Sequence, residues 1–401
     1  MLQLNFDYAG LIKNRFISIL LLFTTTAFIS SCSNNSSPST PAPESGPDDD
    51  QIDWNMVANT STNALITHFW NESGRYWNTT TESQVFAYWT GAHATDVLLD
   101  AYLRTGDTLY LDYVDDWYSG VLQQMNGTFI NNYYDDMEWN ALALLRAYGI
   151  TGRQKFKHSL ENLWNNIKGG WSEVAGGGIM WVKSDPQGKN AISNAPASIL
   201  ASRLYRLSSD ESYLDWAKNI YNWQKNTLID PETGAVWDHI KVQPDGSEII
   251  KKDWVFTYNQ GVYLGAALEL YQITGEQVYL GDAIKTADYT LNSLTHSVDR
   301  ILKDEGGGDG GLFKGIFIRY FTLLIMEEDL PKSKRDEYVQ FIEHNAETLW
   351  REGTNINTLY SSYWKDKPGL YERVDQSVET SGSMLMEAVA RLQNEGFIER
   401  E

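Results

Sequence analysis

The feature that most constrains this fold is a short pattern that recurs four times along the chain. An aromatic residue is followed four residues later by Gly or Ser, and a second aromatic residue comes four residues after that. Glycine suits the left-handed residue just beyond a helix end. The pattern therefore predicts a repeated pair of helices joined by a tight turn. The four copies are Tyr102, Gly106 and Tyr110; Tyr148, Gly152 and Phe156; Tyr205, Ser209 and Tyr213; and Tyr271, Gly275 and Tyr279.

Hydrophobic periodicity extends this pattern to six helix pairs. One helix of each pair is amphipathic, and its partner is apolar on nearly all sides, as a buried helix is. Two concentric rings of six helices satisfy both patterns, so we predict an all-α fold, an (α/α)6 toroid of six helical hairpins. The amphipathic helices are predicted near 53–70, 108–124, 154–167, 211–226, 276–293 and 332–350. Their buried partners are predicted near 86–104, 136–149, 191–207, 255–273, 312–327 and 378–394.

An open superhelical solenoid of the same hairpins is the alternative fold. The four turns lie 46, 57 and 66 residues apart, from 106 to 152, 152 to 209 and 209 to 275. Solenoid repeats are close to constant in length, so this spacing favours a closed toroid with long loops. Three polar or glycine-rich loops, 171–181, 233–240 and 304–315, each precede a buried helix. In a toroid they therefore gather at one end.

The first fifty residues are typical of an exported, lipid-anchored protein. Within residues 1–31, two basic residues precede an apolar run that is too short to span a bilayer, as in a signal peptide. Cys32 follows in an order that resembles bacterial lipoprotein processing, and an ordinary signal peptide is the alternative. Residues 32–51 hold four of the ten prolines and predict a flexible tether. We therefore expect a domain at 52–401, attached to a bacterial cell envelope only through lipidated Cys32.

Charge and composition exclude several classes of partner. The chain has 53 acidic and 32 basic residues and a formal net charge of −21, which would repel nucleic acid. Its six His residues are scattered and it has one cysteine, so we expect no metal site and no cofactor. Aromatic residues make up 13% of the chain. Most should pack the core, but aromatic faces also stack on sugar rings. We expect a monomer.

Asp135 and Asp136 lie where a polar, aromatic loop becomes a buried helix, in N-N-Y-Y-D-D-M-E-W-N-A-L (131–142). Hydrolysis of a glycosidic bond with retention uses one carboxylate as nucleophile and a second, about 5 Å away, as general acid/base. Neighbouring acids also raise one pKa, which keeps one group protonated. Asp is equally a common helix cap, and we interpret a second pair, Asp115-Asp116, as a solvated face. Because the first pair opens an otherwise apolar helix, it predicts a glycoside hydrolase.

The same segment resembles the signature of glycoside hydrolase family 76, the endo-α-1,6-mannanases. Other blocks resemble that family in the same order: G-G-G-I-M-W, K-N-A-I-S-N-A-P-A-S (189–198), W-V-F-T-Y-N-Q-G (254–261) and D-G-G-L-F-K-G-I-F-I-R-Y (309–320). The resemblance implies an (α/α)6 fold, a retaining mechanism without metal, and mannan or a manno-oligosaccharide as substrate. It also implies that Asp135 is the nucleophile and Asp136 the acid/base.

Carried over by position, the resemblance implies a set of sugar-binding residues. These are Tyr134, Trp139, Trp181, Asn194, Trp237, Asp238, Tyr258, Asn259 and Gln260. His239, which follows Asp238, is a further candidate for lining the site. Two other functions stay open at this point: a transglycosylase on the same fold, and a glycan-binding lipoprotein of a nutrient-uptake system. The binding protein would need no carboxylate pair at the mouth of an inner helix.

Overall fold

The computed structural model describes residues 52–399, and this part of the chain is mainly helical. All twelve predicted helices are present, with ends that differ by a few residues from those expected. They are α1 (Trp54–Phe69), α2 (Trp89–Thr105), α3 (Leu109–Gln124), α4 (Tyr134–Thr151), α5 (Gln154–Ile167), α6 (Ala195–Ser208), α7 (Glu211–Leu228), α8 (Thr257–Thr274), α9 (Gln277–Ser293), α10 (Gly310–Ile325), α11 (Lys332–Arg351) and α12 (Gln376–Asn394).

The even-numbered helices form an inner ring. Each contacts the next one in chain order, and α12 contacts α2, so the ring closes. The odd-numbered helices pack on its outside, for example α3 on α2, α7 on α6 and α1 on α12. Helix α8 is buried on nearly all sides, whereas α5 buries one face, as the two sequence patterns predict. The fold is therefore an (α/α)6 toroid, and the alternative of an open solenoid is wrong.

Four turns from an inner to an outer helix use the residues that the recurring pattern predicts. Gly106, Gly152, Ser209 and Gly275 have φ angles of 74°, 67°, 57° and 71°. The backbone N–H of each donates to the carbonyl of the tyrosine four residues earlier, which ends the helix in the left-handed conformation. These tight turns lie at one end of the toroid. The long loops therefore meet at the other end, together with the N-termini of the inner helices.

Two small antiparallel sheets lie in the long loops, and the helical periodicity does not predict them. The first pairs β1 (Trp70–Asn71) with β2 (Tyr76–Trp77). The second has the order β3 (Gly188–Asn190), β4 (His239–Val242) and β5 (Glu248–Ile250). Since β3 precedes α6 and the β4–β5 hairpin precedes α8, this sheet fixes two of the long loops against each other.

Charged side chains are buried between three of the inner helices. Arg146 of α4 pairs with Asp96 and with Asp100 of α2, both at 2.6 Å. Arg319 of α10 reaches Asp100 at 2.8 Å. Because an unpaired charge would be costly in this environment, these contacts restrict how α2, α4 and α10 can rotate against one another.

The predictions for the N-terminal segment lie outside the described residues. They are the signal peptide at 1–31, the tether at 32–51 and lipidation of Cys32. The structure covers residues 52–399 of the domain that we expected at 52–401. No helix in this described part combines the length and the apolar character needed to span a bilayer.

Candidate active site

Pairing between two loops fixes the start of α4, where the aspartates lie. Tyr133 has an extended backbone, and the backbone N–H of Tyr134 donates to the carbonyl of Trp181 at 2.9 Å. Asp135 and Asp136 therefore occupy the first turn of the helix. The unpaired N–H groups and the helix dipole favour negative charge at this position.

The two oxygens of the Asp135 carboxylate have different surroundings. Oδ2 accepts a hydrogen bond of 3.2 Å from Nε1 of Trp181. Oδ1 is shielded from solvent and has no hydrogen-bond partner within the described residues. Burial raises the pKa of Asp135 to about 7; the bond from Trp181 and the backbone N–H groups of Asp136 and Asp135 oppose the rise, and the charge of Asp309 adds to it. Asp135 thus has one oxygen bonded to Trp181 and the other enclosed by the protein.

Asp136 has the higher pKa of the pair. Its Oδ2 accepts a hydrogen bond of 2.5 Å from Nδ2 of Asn131. Burial, and then the charges of Asp135 and Asp309, raise the pKa of Asp136 to about 8. Neighbouring carboxyl groups resist ionising together. Between about pH 7 and 8 the pair therefore carries one proton, and Asp136 holds the larger share of it.

The pair opens onto a cleft of about 650 Å³ at the mouth of the toroid. Its walls combine aromatic rings with carboxylates, which suits a sugar because a sugar has apolar faces and hydroxyl-bearing edges. The lining residues are Trp89, Tyr133, Asp135, Asp136, Trp139, Trp181, Val182, Asp185, Gly188, Asn190, Asp238, His239, Lys241, Trp254, Phe256, Tyr258, Asp309 and Phe313.

The aromatic walls are rigid in some places and exposed in others. Tyr258 and Phe313 stack with ring centroids 3.8 Å apart and planes 9° apart. Trp181 packs on Tyr133 at 5.1 Å, yet 39% of its surface is exposed, and Trp254 is 47% exposed. Flat rings that remain exposed at a cleft can receive the apolar face of a sugar.

Six of the eleven predicted catalytic and sugar-binding residues line the cleft, and five are not part of its lining. Those in the lining are Asp135, Asp136, Trp139, Trp181, Asp238 and Tyr258. The candidate His239 also lines it. Those that do not line it are Tyr134, Asn194, Trp237, Asn259 and Gln260. Three of these five, Asn194, Asn259 and Gln260, bond to the loops that form the cleft.

Asn194 and Gln260 tie two long loops to the inner ring. The Asn194 side chain accepts from the N–H of Ile179 at 2.8 Å and donates to its carbonyl at 3.1 Å. Gln260 makes the same two bonds with Val236, at 2.8 and 3.0 Å. Each side-chain amide thus pairs with the loop as a neighbouring strand would. In both loops the clamped residue lies two positions before a residue that lines the cleft.

Asn259 orients Asp238. Its Nδ2 donates to Oδ1 of Asp238 at 3.0 Å, and Nδ1 of His239 lies 2.8 Å from Oδ2 of the same carboxylate. Tyr134 and Trp237 instead lie beneath lysine ammonium groups, at 5.8 and 4.1 Å from the ring centroids. Asn194, Asn259 and Gln260 therefore support the cleft from behind its lining.

Asp309, Trp89, Trp254 and Phe313 line the cleft although the sequence-based set does not include them. Asp309, Trp254 and Phe313 belong to blocks that carry the family resemblance. The signal that could have identified Asp309 and Trp89 is their place at the start of inner helices, because the N-termini of these helices meet at the mouth. Nε1 of Trp89 donates to Oδ1 of Asp309 at 3.2 Å.

The aspartate pair has the parts needed for nucleophilic displacement with acid assistance. One carboxyl group favours the ionised form and its neighbour retains a proton, so together they supply a nucleophile and an acid. Among residues 52–399, no group of three or more His, Cys, Asp or Glu side chains is arranged to hold a metal ion.

Comparison with known proteins agrees with this chemistry. The sequence of residues 53–395 matches the sequence profile of glycosyl hydrolase family 76. This chain belongs to glycosyl hydrolase family 76. The α-1,6-mannanase of Salegentibacter sp. HEL1_6, a solved structure, is 46% identical with a TM-score of 0.82, and the match covers 85% of this chain and 100% of that one.

Two further comparisons extend the family 76 assignment. An inactive variant of the same Salegentibacter enzyme, with two consecutive aspartates replaced by alanine, was solved with α-1,6-mannotetrose; it is 45% identical, with a TM-score of 0.82 and the same coverage. A mannan endo-1,6-alpha-mannosidase of Eremothecium gossypii is 22% identical over 340 residues, which is 77% of this chain and 70% of that protein. Membership of family 76 makes this protein a glycoside hydrolase, and the resemblance read from the sequence is confirmed.

Proposed function

We propose that this protein is a retaining, endo-acting hydrolase of α-1,6-linked mannose chains, with Asp135 as nucleophile and Asp136 as general acid/base. One observation carries the proposal: two neighbouring, buried aspartates, both with raised pKa values, lie at the start of an inner helix in an aromatic cleft. The chain is also 45% identical to an α-1,6-mannanase that is inactive without two consecutive aspartates. That enzyme binds α-1,6-mannotetrose and α-1,6-mannotriose, which supports mannan as the substrate here.

The mechanism takes two steps at the anomeric carbon. In the first, the carboxylate of Asp135 attacks this carbon while the bond from the carbon to the leaving sugar breaks, and Asp136 gives its proton to the leaving oxygen. In the second, a water molecule attacks the same carbon, its proton passes to Asp136, and the bond to Asp135 breaks. Two inversions give net retention of configuration.

Endo action agrees with the position of the exposed aromatic rings. Trp181 and Trp254 remain exposed at the cleft, so a sugar chain can extend past the catalytic pair while its rings stack on them. The acidic residues of the cleft can accept hydrogen bonds from sugar hydroxyl groups. A neutral polymer of mannose offers both features.

The test measures reducing ends released from α-1,6-mannan by the purified full-length protein. We expect wild type to release oligosaccharides, and Asp135→Asn and Asp136→Asn each to lose at least about 1,000-fold in kcat, because each group takes part in bond breaking. The matched control is Asp116→Asn, in the acidic pair of outer helix α3. Full turnover in both active-site variants would refute the assignment of the pair. Products extended by an added acceptor sugar would instead favour a transglycosylase.

We also propose that lipid on Cys32 anchors the protein at a bacterial cell envelope. The support is the order of basic residues, apolar run and cysteine in the first 32 residues. Labelling of expressing cells with a radioactive fatty acid tests this proposal. Wild type should carry the label and fractionate with membranes, whereas Cys32→Ala should do neither.

A monomer is the proposed state in solution. Light scattering coupled to gel filtration should give a mass close to that of one chain, at most 45.6 kDa. A stable mass of twice that value would contradict this proposal.

A further inference from the structure

Asp309 is a carboxylate of the cleft that the proposed mechanism does not use. It occupies the N-cap position of α10, yet its side chain makes no capping hydrogen bond. Its Oδ1 instead accepts the hydrogen bond from Nε1 of Trp89 at 3.2 Å, and the side chain lines the cleft. Asp is favoured at N-cap positions because it caps the helix, so capping does not explain this orientation.

The loop that carries Asp309 is held from two sides. Glu305 accepts hydrogen bonds from the hydroxyl group and the backbone N–H of Thr257 at the start of α8, the latter at 2.8 Å. Asp375, just before α12, accepts the backbone N–H of Gly308 at 2.7 Å. Because α8 and α12 flank α10 in the inner ring, these bonds fix the loop between them. Asp309 therefore keeps a defined position relative to the catalytic pair.

Burial disfavours the charged form of several titratable groups near the pair. It raises the pKa of Tyr88 and raises the pKa of both Glu138 and Tyr258 well above their usual ranges. It lowers the pKa of His93 to about 3. The surroundings of the pair therefore resist charge on these groups.

The charged groups near the cleft have charged or polar partners of their own. The pairs are Asp185 with Lys241 at 2.7 Å, Asp238 with His239 at 2.8 Å and Asp375 with Arg373 at 3.7 Å. Asp309 differs, since its hydrogen bond comes from a neutral indole and no ion pair is formed with it within residues 52–399. Its charge is accordingly felt by the catalytic carboxyl groups, and it raises the pKa of both.

We propose that Asp309 is a positioning residue of this active site, whose charge, held beside the pair by Trp89, keeps one proton shared by Asp135 and Asp136 at neutral pH. The inference rests on the proposed hydrolase function, in which one carboxyl group attacks and the other donates a proton. Without the charge of Asp309, both groups would ionise at lower pH. A smaller fraction of the pair would then carry the proton at the pH at which the wild-type pair is active.

The experiment compares four full-length proteins: wild type, Asp309→Asn, Asp309→Glu and Asp304→Asn. The quantity measured is kcat/KM for an α-1,6-linked manno-oligosaccharide as a function of pH. Both limbs of the D309N profile should move to lower pH by about half a unit to one unit. D309E keeps the charge and should keep the wild-type profile. D304N should also keep it, because Asp304 accepts the Gly306 N–H in a local turn at 2.8 Å and does not line the cleft.

Two results would overturn the proposal. One is a D309N profile that coincides with wild type, and the other is a higher KM with both limbs unmoved, which would make Asp309 a sugar-binding residue instead. NMR titration of the Asp135 and Asp136 carboxyl carbons measures the same shift without substrate. If wild type fails to cleave the oligosaccharide, the proposed substrate is wrong while the NMR titration still tests Asp309. If the asparagine amide of D309N disturbs the turn, Asp309→Ser tests the same loss of charge with a smaller side chain.

Discussion

Nε1 of Trp181 donates a hydrogen bond of 3.2 Å to Oδ2 of Asp135. A donor to a carboxylate favours its ionised form, and Asp136 has such a donor as well, Nδ2 of Asn131. After burial, the charge of Asp135 is what raises the pKa of Asp136 further. Asp136 has the higher pKa and retains the proton. The surroundings of each group therefore agree with the roles that the family resemblance implies, Asp135 as nucleophile and Asp136 as acid/base.

Substituting Trp181 by Phe should lower kcat/KM at neutral pH by roughly 10- to 100-fold, the range expected for loss of a hydrogen bond to a charged group. The ring is retained, but the pKa of Asp135 rises further and less of it is ionised. The acid limb of the pH profile should therefore move to higher pH. The loss should shrink above about pH 9, where Asp135 is ionised in both proteins. Initial rates on a manno-oligosaccharide check this.

Trp254→Phe is the matched control for W181F. Trp254 is another exposed indole of the cleft, and its ring contacts are with His239 and Phe256. The control should leave the acid limb at its wild-type position, whatever its effect on KM. If both variants moved the limb equally, the shift would reflect a general change in the cleft rather than the bond to Asp135.

The wild-type enzyme should be most active in a narrow range near pH 7 to 8. Activity requires Asp135 ionised and Asp136 protonated. On the acid side kcat/KM falls near pH 7, where Asp135 takes up a proton, and on the alkaline side it falls near pH 8, where Asp136 loses its proton. Because the two groups are coupled, the two limbs of the pH profile report apparent pKa values of the pair rather than of either residue. A profile centred below about pH 5 would show that burial and Asp309 do not control the pair.

The helices could be predicted from the sequence because their signals are local. A glycine four residues after Tyr148 predicts the end of α4, and alternation of apolar and amphipathic segments predicts the two rings. The three-stranded sheet was not predictable in the same way. Its strand β3 pairs with β4, some fifty residues later in the chain, and strands this short carry no periodicity of their own.

The site was only partly predictable, because two adjacent aspartates give the same sequence pattern whether they lie on a surface or in a cleft. Asp115 and Asp116 form exposed ion pairs on α3, whereas Asp135 and Asp136 line the cleft. The apolar helix that follows was the useful distinction. Asp309 also precedes an apolar inner helix, but a single aspartate before a helix is ordinarily interpreted as a cap. Only the folded chain shows that its side chain turns away from α10.

Ser209→Gly should stabilise the protein by about 0.5–1 kcal/mol. Of the four recurring turns, this is the one in which a residue with a side chain adopts the left-handed conformation, at φ 57°. Gly152→Ala is the converse change and should cost about 1 kcal/mol, since a Cβ there meets no atom within 4 Å and only backbone strain remains. Chemical denaturation measures both, and equal effects of the same sign would contradict this account.

Asp136→Asn should make the folded protein more stable than wild type at about pH 8 but not at about pH 4. The pKa of Asp136 is 3.8 in the unfolded chain and about 8 in the folded one. Between these values the unfolded state binds fewer protons, so the stability of wild type falls as pH rises. Asn carries no charge and avoids this loss, which amounts to about 2–5 kcal/mol at pH 8.

Denaturation curves at several pH values measure the effect of D136N, with Asp116→Asn as the control. Asp116 lies on the surface, 3.9 Å from Arg75, with both side chains nearly half exposed, and such pairs contribute little. The stability difference between D116N and wild type should therefore stay small at every pH. If D136N were no more stable than wild type at pH 8, the Asp136 carboxyl group of the wild-type enzyme would have to be ionised before substrate binds. It could not then serve as the acid, and the roles of Asp135 and Asp136 would have to be exchanged.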